Sequence, residues 1–366
     1  YVHVEELTNA FLEAGHELTF VAPEFSKKAE FGDAGGISAK LKKALPKSLY
    51  ELLELTYSFV VAAKLISAIL KDKPDFIYER YNLYQPAGVM VARLFKIPML
   101  LEVNAPLAHE RQTYSGLALF WLAKSIENFT WRSASAVLPV SAVLGNMIET
   151  IGVKKEKIHV IHNGINANLL ENEFSKKDQF SRNKIVIGFV GFINPWHRLD
   201  LAIDAIARHK EKDIHLVCIG DGDIKPELEA QAKKLGIENK VTFTGLISRD
   251  DVFKHIQQFD IALQPSVTAY ASPLKLFEYL SASCLVIAPR SDNICEIVSE
   301  DNAVLFELDN YNDFAQKLAE IIENFDSYTD KRILSRQAIL DNGFTWQANA
   351  QQVVNIATEL TKTSHK

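Results

Sequence analysis

The sequence predicts an α/β protein built from two doubly wound units, each with its own parallel sheet. Short, continuous apolar runs rich in β-branched residues recur along the chain, and segments with helical spacing lie between them. Such runs are typical of parallel strands that helices cover on both faces. Because 366 residues are too many for one ordinary core, two series of strands indicate two domains.

Apolar runs bounded by turn residues mark the predicted strands. In the first unit they are residues 16–23, 75–80, 98–103, 135–140 and 157–163. In the second unit they are residues 185–191, 214–220, 240–245, 260–265, 284–289 and 303–308. Helical spacing between them is clearest in LDLAIDAIARH, residues 199–209, and in PELEAQAKKLG, residues 226–236.

The two ends of the first unit set its predicted bounds. The chain opens with YVHVEELTNAFLEAGH, whose apolar spacing is that of a helix ending at Gly15. A doubly wound unit normally begins with a strand and a glycine-rich turn, so the first strand of this domain is expected to be missing. An Asn-Gly turn followed by a polar stretch, residues 163–184, predicts the seam between domains 1–165 and 166–343.

Composition and charge limit the class of partner. Hydrophobic residues make up 48% of the chain and charged residues 23%, as in soluble globular proteins. A net charge of -6 argues against nucleic acid as the main partner. The three cysteines have no metal-ligand spacing, which predicts reduced thiols in a cytoplasmic protein, without a disulfide or zinc site. Nothing at the start resembles a signal peptide.

The longest apolar run, residues 57–70, is interrupted by Lys64 and is shorter than the roughly 20 residues of a membrane span. A lysine-rich segment, residues 38–43, precedes it. Two interpretations stay open. The region is either a cationic amphipathic surface for an anionic bilayer, or a loop and an ordinary packed helix, and the second is favoured.

The stretch YASPLKLFEYL, residues 270–280, has the features of an anion site. Pro273 at a first helical position leaves the N–H groups of Leu274 and Lys275 unpaired at the positive end of a helix. Lysine is unfavourable at that end unless an anion compensates its charge. Glu278 lies one turn further on, where it could accept hydrogen bonds from a ribose diol. The alternative is a Lys–Glu surface pair.

A second candidate anion site follows the first strand of the second domain. The turn after Gly191 carries His197 and Arg198 and points at the carboxyl edge of the sheet, where α/β proteins bind ligands. The alternative is a packed turn with a solvated arginine. At the next strand, Gly220 in IGDGD repeats the arrangement, although a lone Gly-Asp-Gly is a weak signal.

These segments resemble a known family. SPLKLFEYLSASCLVIAP, IGFVGFINPWHRLDLAIDAI, LVCIGDGD and HVIHNGIN are similar, in order, to the donor half of retaining glycosyltransferases of the GT-B fold, most of all family 4. ERYNLYQPAG and LLEVNAPL resemble the acceptor half. The resemblance implies two Rossmann-like domains that face a central cleft, and a final helix, residues 344–366, that returns to the first domain.

The same resemblance implies the chemistry. A sugar would pass from a UDP-, GDP- or ADP-sugar to a glycan, lipid-linked or small-molecule acceptor, with retention of anomeric configuration. No metal site and no cofactor beyond the nucleotide-sugar co-substrate are implied. The location would be the cytoplasm, with a peripheral contact at the inner face of the membrane.

The resemblance also assigns donor-site roles. Glu278 matches the glutamate that holds the ribose, Ser272–Lys275 the backbone cradle for sugar and phosphate, and the Gly191 turn with His197 the other phosphate clamp. Ile247 lies where the family contacts the base. The predicted donor site is Gly191, Phe192, His197, Arg198, Gly220, Ile247, Tyr270, Ser272, Pro273, Leu274, Lys275 and Glu278.

The sequence departs from the family pattern at several of these positions. Tyr270 stands where many members have a second glutamate, Phe192 where a basic residue is common, and His197 where a lysine is usual. In the first domain Asn104 replaces a common histidine, which leaves Glu102 and His109 as the nearest acid/base candidates. These changes favour two alternatives, a catalytically weak partner subunit and a nucleotide-sugar epimerase of the same fold.

Overall fold

The computed structural model describes residues 2–21, 44–171 and 184–364. The chain divides into two compact units, residues 1–162 with 350–366, and residues 163–349. The sequence placed the divisions after residue 165 and before residue 344. The last helix, Trp346–Ser364, begins in the second unit and continues into the first.

The first unit has a parallel three-stranded sheet in the order β1-β2-β3. The strands are β1 (Ile77–Arg80), β2 (Met99–Val103) and β3 (Ala136–Pro139). Every residue of β2 and β3 is buried, as their continuous apolar sequences predict. The helices are α1 (Val2–Glu13), α2 (Lys47–Asp72), α3 (Ala87–Phe95), α4 (Leu107–Tyr114), α5 (Phe120–Ser133) and α6 (Ala142–Thr150).

Two predicted strands of this unit are wrong over the described residues. Residues 16–21 form no strand, because no described strand pairs with them, and residues 22 and 23 lie outside the described part. Residues 157–163 make one bridge, between Ile158 and Val137, and Ile161 N–H donates to the Pro139 carbonyl. His159 N–H also donates to the Val137 carbonyl at 3.0 Å, so the segment follows the edge of β3 without forming a ladder.

The second unit has a six-stranded parallel sheet in the order β6-β5-β4-β7-β8-β9. Its strands are β4 (Ile185–Val190), β5 (Ile214–Ile219), β6 (Val241–Gly245), β7 (Ile261–Leu263), β8 (Leu285–Pro289) and β9 (Ala303–Phe306). All six lie within predicted runs, and the two parallel α/β units confirm the predicted fold class. The chain leaves β4 in one direction and later adds β7 on its other side, which places the topological switch point between these two strands.

Helices connect the strands of the second unit. They are α7 (Asn168–Glu171), α8 (Leu199–Arg208), α9 (Lys225–Lys234), α10 (Arg249–Ile256), α11 (Leu274–Ser281), α12 (Asp292–Cys295), α13 (Tyr311–Glu323), α14 (Thr329–Asp341) and the shared α15 (Trp346–Ser364). Proline and the residue after it mark the start of α11, whose apolar face is buried.

A buried ion pair joins the sheet of the second unit to α14. The Asp260 carboxylate accepts hydrogen bonds from Val186 N–H at 2.9 Å and from the Arg332 guanidinium at 3.1 Å. Arg332 also lies over the Phe325 ring and donates to the Ser283 carbonyl. Both charges are therefore compensated inside the unit, as buried charges require.

Helix α2 differs from the ordinary packed helix that the sequence favoured. Its 26 residues bury only Glu51, Ser58 and Ile69. Among the described residues it is the one helix long and apolar enough to span a membrane. The helix is longer than the apolar run at residues 57–70, because it begins at Lys47 and includes the leucines before that run. The lysine-rich residues 38–43 lie outside the described residues.

Candidate functional site

The turn after β4 lies at the switch point of the second sheet and depends on glycines. Gly191 has φ 136°, and its N–H donates to the Ile219 carbonyl at 2.9 Å. A Cβ on Gly220 would lie 2.1 Å from the Gly191 oxygen, and one on Gly222 2.0 Å from the Ile193 oxygen. Gly220, a predicted donor-site residue, lets the Gly191 turn pass close to the next strand because it has no side chain.

His197 does not carry the positive charge expected of a phosphate clamp. Its Nδ1 faces the Asn194 N–H at 3.3 Å in a capping box, and its ring packs 4.8 Å from that of Phe189. Burial, reinforced by the charge of Lys275, lowers the pKa of His197 to about 4, although a hydrogen bond with the Phe192 backbone opposes the shift. At neutral pH this imidazole is uncharged and shapes the turn.

Arg198 is engaged by neighbouring side chains. Its guanidinium makes three hydrogen bonds with Asp200, at 3.0, 3.3 and 2.9 Å, and lies 4.9 Å from the centre of the Tyr311 ring. Hydrogen bonding to Asp200 raises its pKa. The predicted phosphate contact would have to compete with this bidentate pair.

Lys275 is the cation that reaches the Gly191 turn. Its Nζ lies 4.5 Å from the centre of the Phe189 ring and 3.7 Å from the position of a Cβ built on Gly191. Burial lowers the pKa of Lys275 to about 8, and the nearby Glu278 carboxylate partly offsets that shift. No carboxylate oxygen lies within ion-pair distance of Nζ over residues 2–21, 44–171 and 184–364 whose side chains are described. A buried ammonium of this kind favours an anionic ligand.

The start of α11 adds backbone donors beside Lys275. Pro273 is the N-cap residue, so the helix begins at Leu274, one residue later than the sequence predicted. Leu276 N–H donates to the Pro273 carbonyl, and no side chain caps the end. The N–H groups of Leu274 and Lys275 precede the first intrahelical hydrogen bonds and stand at the positive end of the helix dipole.

Three polar side chains hold α11 and its approach loop in place. The Tyr279 hydroxyl accepts from Val190 N–H at 2.9 Å, which ties α11 to the end of β4. Asn163 donates to the Ser272 carbonyl at 2.6 Å, and its own N–H donates to the Ser272 hydroxyl at 3.1 Å. Asn293 donates to two carbonyls of the loop before α11, those of Thr268 and Ala271.

Sequence reasoning missed Tyr279, Asn163 and Asn293 as positioning residues. The available signal was a polar residue inside or beside an apolar run, because such residues are usually hydrogen-bonded when buried. Asn293 and Tyr279 are fully buried.

The remaining predicted donor residues lie on the loop before α11, on α11 itself, and after β4 and β6. Tyr270 is partly buried on the loop that Asn293 holds, and Glu278 is partly buried one turn beyond Lys275. Phe192 is 65% exposed next to Gly191. Ile247 packs against the core after β6, and no described contact links it to Lys275.

In the first unit, Glu102 is the centre of a closed polar cluster. Its buried carboxylate accepts hydrogen bonds from the Tyr78 hydroxyl and from the Asn104 amide. His3 Nε2 lies 3.3 Å away and Arg80 Nε 3.7 Å away. Burial, Glu102 and its hydrogen bond raise the pKa of Tyr78, and burial lowers that of His3 despite the carboxylate. The carboxylate of Glu102, an acid/base candidate, is therefore already engaged by neighbouring side chains.

Two of the three catalytic candidates lie together in the structure, and the third lies apart from them. Asn104 and Glu102 are in contact at the end of β2. His109 is an exposed residue of α4, and no hydrogen bond joins its ring to Glu102 or Asn104 in the part of the chain that the structure describes.

The chain has two Rossmann-like units, and in the second the Lys275 ammonium reaches the turn at the switch point. Solved structures share this fold. The chain is similar to HepE of Anabaena in complex with UDP, at 21% identity and a TM-score of 0.61, covering 83% of this chain and 81% of that one. It is similar to a glycosyltransferase from Rickettsia africae at 18% identity and a TM-score of 0.65, covering 90% and 89%.

Family and sequence comparisons agree with this class. Residues 2–169 match Glycosyltransferase Family 4 and residues 184–324 match Glycosyl transferases group 1. An uncharacterised glycosyltransferase of Methanocaldococcus jannaschii is 25% identical over 78% of this chain and 76% of its own length. A Campylobacter jejuni enzyme, an N-acetylgalactosaminyltransferase acting on a diphospho-undecaprenol-linked saccharide, is 28% identical over 55% of this chain and 54% of its own. The chain is a glycosyltransferase of the GT-B fold.

Proposed function

We propose that the protein transfers a sugar from a UDP-sugar to a lipid-linked acceptor, with retention of anomeric configuration and without a metal ion. The observation that carries the donor assignment is Lys275, whose ammonium lies at the Gly191 turn beside the free amides of α11. UDP is favoured over GDP and ADP because HepE, a structural relative, is in complex with UDP. The lipid-linked acceptor rests on the similarity to the Campylobacter enzyme.

The proposed chemistry needs positive charge where the diphosphate leaves. Negative charge grows on the phosphate oxygens as the glycosidic bond breaks, and prearranged donors stabilise it most in the transition state. Lys275 and the amides of Leu274 and Lys275 supply such donors in unit 2, without a metal in the proposed mechanism. Glu278 would accept hydrogen bonds from the ribose diol, and the Tyr270 hydroxyl would contact the sugar.

Donor binding tests the assignment before any acceptor is known. In isothermal titration calorimetry with UDP-, GDP- and ADP-sugars, at least one should bind. Glu278→Ala should weaken that binding more than about tenfold, because a hydrogen bond to a charged group contributes about 1.5–3 kcal/mol. Glu238→Ala is the matched control, since this exposed glutamate precedes β6 at the opposite edge of the sheet. Unchanged binding in Glu278→Ala would remove the donor site from α11.

A catalytically weak partner subunit is the second candidate, and the closed cluster around Glu102 favours it. A carboxylate already bound by Tyr78 and Asn104 is poorly placed to exchange a proton with a substrate. Slow hydrolysis of the bound donor separates the two candidates. Hydrolysis or transfer supports the enzyme, whereas binding without turnover in the presence of lipid-linked acceptors supports the partner subunit. Interconversion of two nucleotide sugars without acceptor would instead indicate an epimerase.

We further propose that the protein works in the cytoplasm at the inner face of the membrane, where a lipid-linked acceptor and a soluble nucleotide sugar can meet. Fractionation of cells should place it with the membranes at low ionic strength. Recovery only in the soluble fraction would contradict this location.

A further inference from the structure

An apolar stripe runs along the outer face of α2. The exposed positions repeat at three- and four-residue intervals, as expected for one face of a helix. They are Leu49, Leu52, Leu53, Thr56, Phe59, Val60, Ala63, Ser67 and Leu70. None of them is charged, and from Leu49 to Leu70 the stripe is about 30 Å long at 1.5 Å per residue. Contiguous apolar surface of this extent indicates an interaction site.

Exposed aromatic side chains lie next to the amino end of this stripe. Lys47 donates to the Ser115 carbonyl at 3.0 Å, and Glu51 accepts from the N–H groups of Ala118 and Leu119 at 2.8 Å. These bonds hold the segment between α4 and α5 against the start of α2. On either side of that segment, Tyr114 is 74% exposed and Trp121 68% exposed. Tyrosine and tryptophan prefer the boundary between water and hydrocarbon.

The charges around the stripe are sorted by sign. Both carboxylates in the body of α2 turn inward, Glu51 to the backbone and Tyr84, and Glu54 to Arg111 at 2.7 Å. The exposed charges of α2, the residue after it and the adjoining α3 are mostly basic, with Asp72 as the acidic one. They are Lys47, Lys71, Asp72, Lys73, Arg93 and Lys96. Asp72 accepts a hydrogen bond from Thr19 at 2.8 Å. An apolar face with a basic rim is complementary to a bilayer that contains anionic lipid.

The helix is fixed along its length to the first unit. Glu51, Ser58 and Ile69, which are spread over the helix, are all buried against that unit. A helix attached in this way lies parallel to a membrane surface, because crossing the bilayer would strip away these contacts.

We propose that the stripe of α2, with Trp121 and Tyr114, docks the protein on a lipid bilayer by inserting its apolar side chains at the boundary of head groups and acyl chains. This gives a defined surface to the membrane contact in the proposed function. It does not depend on the donor site, so nucleotide binding and vesicle binding fail or succeed separately.

Tryptophan quenching by brominated phosphatidylcholine in vesicles tests the surface directly. Trp131 and Trp346 are buried, and Trp196 is an exposed tryptophan in the second unit. Vesicles should quench the wild-type fluorescence, Trp121→Phe should abolish the quenching, and the matched variant Trp196→Phe should retain it. Quenching that Trp196→Phe removes and Trp121→Phe retains would overturn the proposal.

Vesicle sedimentation measures the strength of docking. Phe59→Glu should weaken partition to phosphatidylcholine–phosphatidylglycerol vesicles by about tenfold or more, because it places a charge where an exposed apolar side chain would insert into the bilayer. Leu340→Glu, at an exposed leucine of α14 in the other unit, should leave partition unchanged. Urea unfolding with a midpoint equal to that of the wild-type protein shows that both variants are folded. Failure of the wild-type protein to sediment with vesicles, or a lipid-free dimer that Phe59→Glu dissociates, would overturn the proposal.

Discussion

The Glu102 cluster, at the end of β2, and the Lys275 site, at the start of α11, are both charged centres inside their units, but they differ in how the charge is compensated. Glu102 accepts hydrogen bonds from Tyr78 and Asn104 of its own unit, and the Arg80 guanidinium lies 3.7 Å away. Lys275 has the face of Phe189 and no described carboxylate within ion-pair distance. Breaking a compensated buried charge is costly, whereas a cation that the nearby Glu278 offsets only in part costs stability and favours an anion. The Asp260–Arg332 pair resembles the Glu102 cluster, because both of its charges have partners inside the unit.

The largest expected effect comes from breaking the compensated cluster. Glu102→Ala should lower the free energy of unfolding by about 3–5 kcal/mol, because it leaves buried polar partners without an acceptor. Urea unfolding measures the change, with Glu156→Ala, at an exposed residue outside the core, as control. Nucleotide binding by the second unit should persist at low urea. A loss below about 1 kcal/mol would show that the cluster is not structural.

Removing the Lys275 charge, which Glu278 offsets only in part, should act in the opposite direction. Lys275→Met should raise the free energy of unfolding by about 1–2 kcal/mol at neutral pH, because it replaces a buried cation with an apolar side chain of similar shape. The pKa of this lysine is lowered to about 8, so the wild-type protein regains stability as the pH rises past 8 and the lysine loses its proton. The advantage of the variant should therefore shrink in that range. Destabilisation at neutral pH would contradict a site of this kind.

The titration of Lys275 should also change the affinity for UDP. Below pH 8 Lys275 is charged and attracts phosphate, and above it the free protein must first take up a proton. The dissociation constant for UDP should rise with pH above 8, by up to about tenfold per pH unit. Lys275→Arg keeps its charge and should give a flat profile over the same range. An identical slope in both proteins would assign the titration to another group.

The smallest effect is expected from the loop that carries Tyr270. Asn293→Ala removes the hydrogen bonds to the Thr268 and Ala271 carbonyls and should loosen that loop. Binding of a UDP-sugar should weaken by about three- to tenfold, whereas binding of UDP should change little. Calorimetry with the two ligands gives the comparison. An equal loss for both would indicate a general defect of the unit.

Local sequence predicted the parts of this molecule that depend on local structure. The continuous apolar runs of the second unit all became strands, and Pro273 marked the start of α11 to within one residue. The run at residues 157–163 lies along β3 and donates to its carbonyls, but it makes a single bridge rather than a ladder, and apolar spacing does not reveal how far two segments pair.

The site was predicted less completely because its charges are set by their partners. The sequence placed Lys275 at a helix start, where it lies in the structure. The uncharged state of His197 follows from its burial against Phe189, and the Arg198 guanidinium is held by Asp200 and Tyr311, and neither contact can be read from local sequence. The sequence also did not predict that α2 is exposed, because helical periodicity alone does not show which face packs against the rest of the protein.

Binding of UDP and of uridine to the wild-type protein and to Lys275→Met tests the central claim most directly. If the Lys275 ammonium and the start of α11 hold the diphosphate, the substitution should weaken UDP binding by about 10- to 100-fold and leave uridine binding unchanged. An equal effect on both ligands, or no effect on UDP, would contradict the assignment.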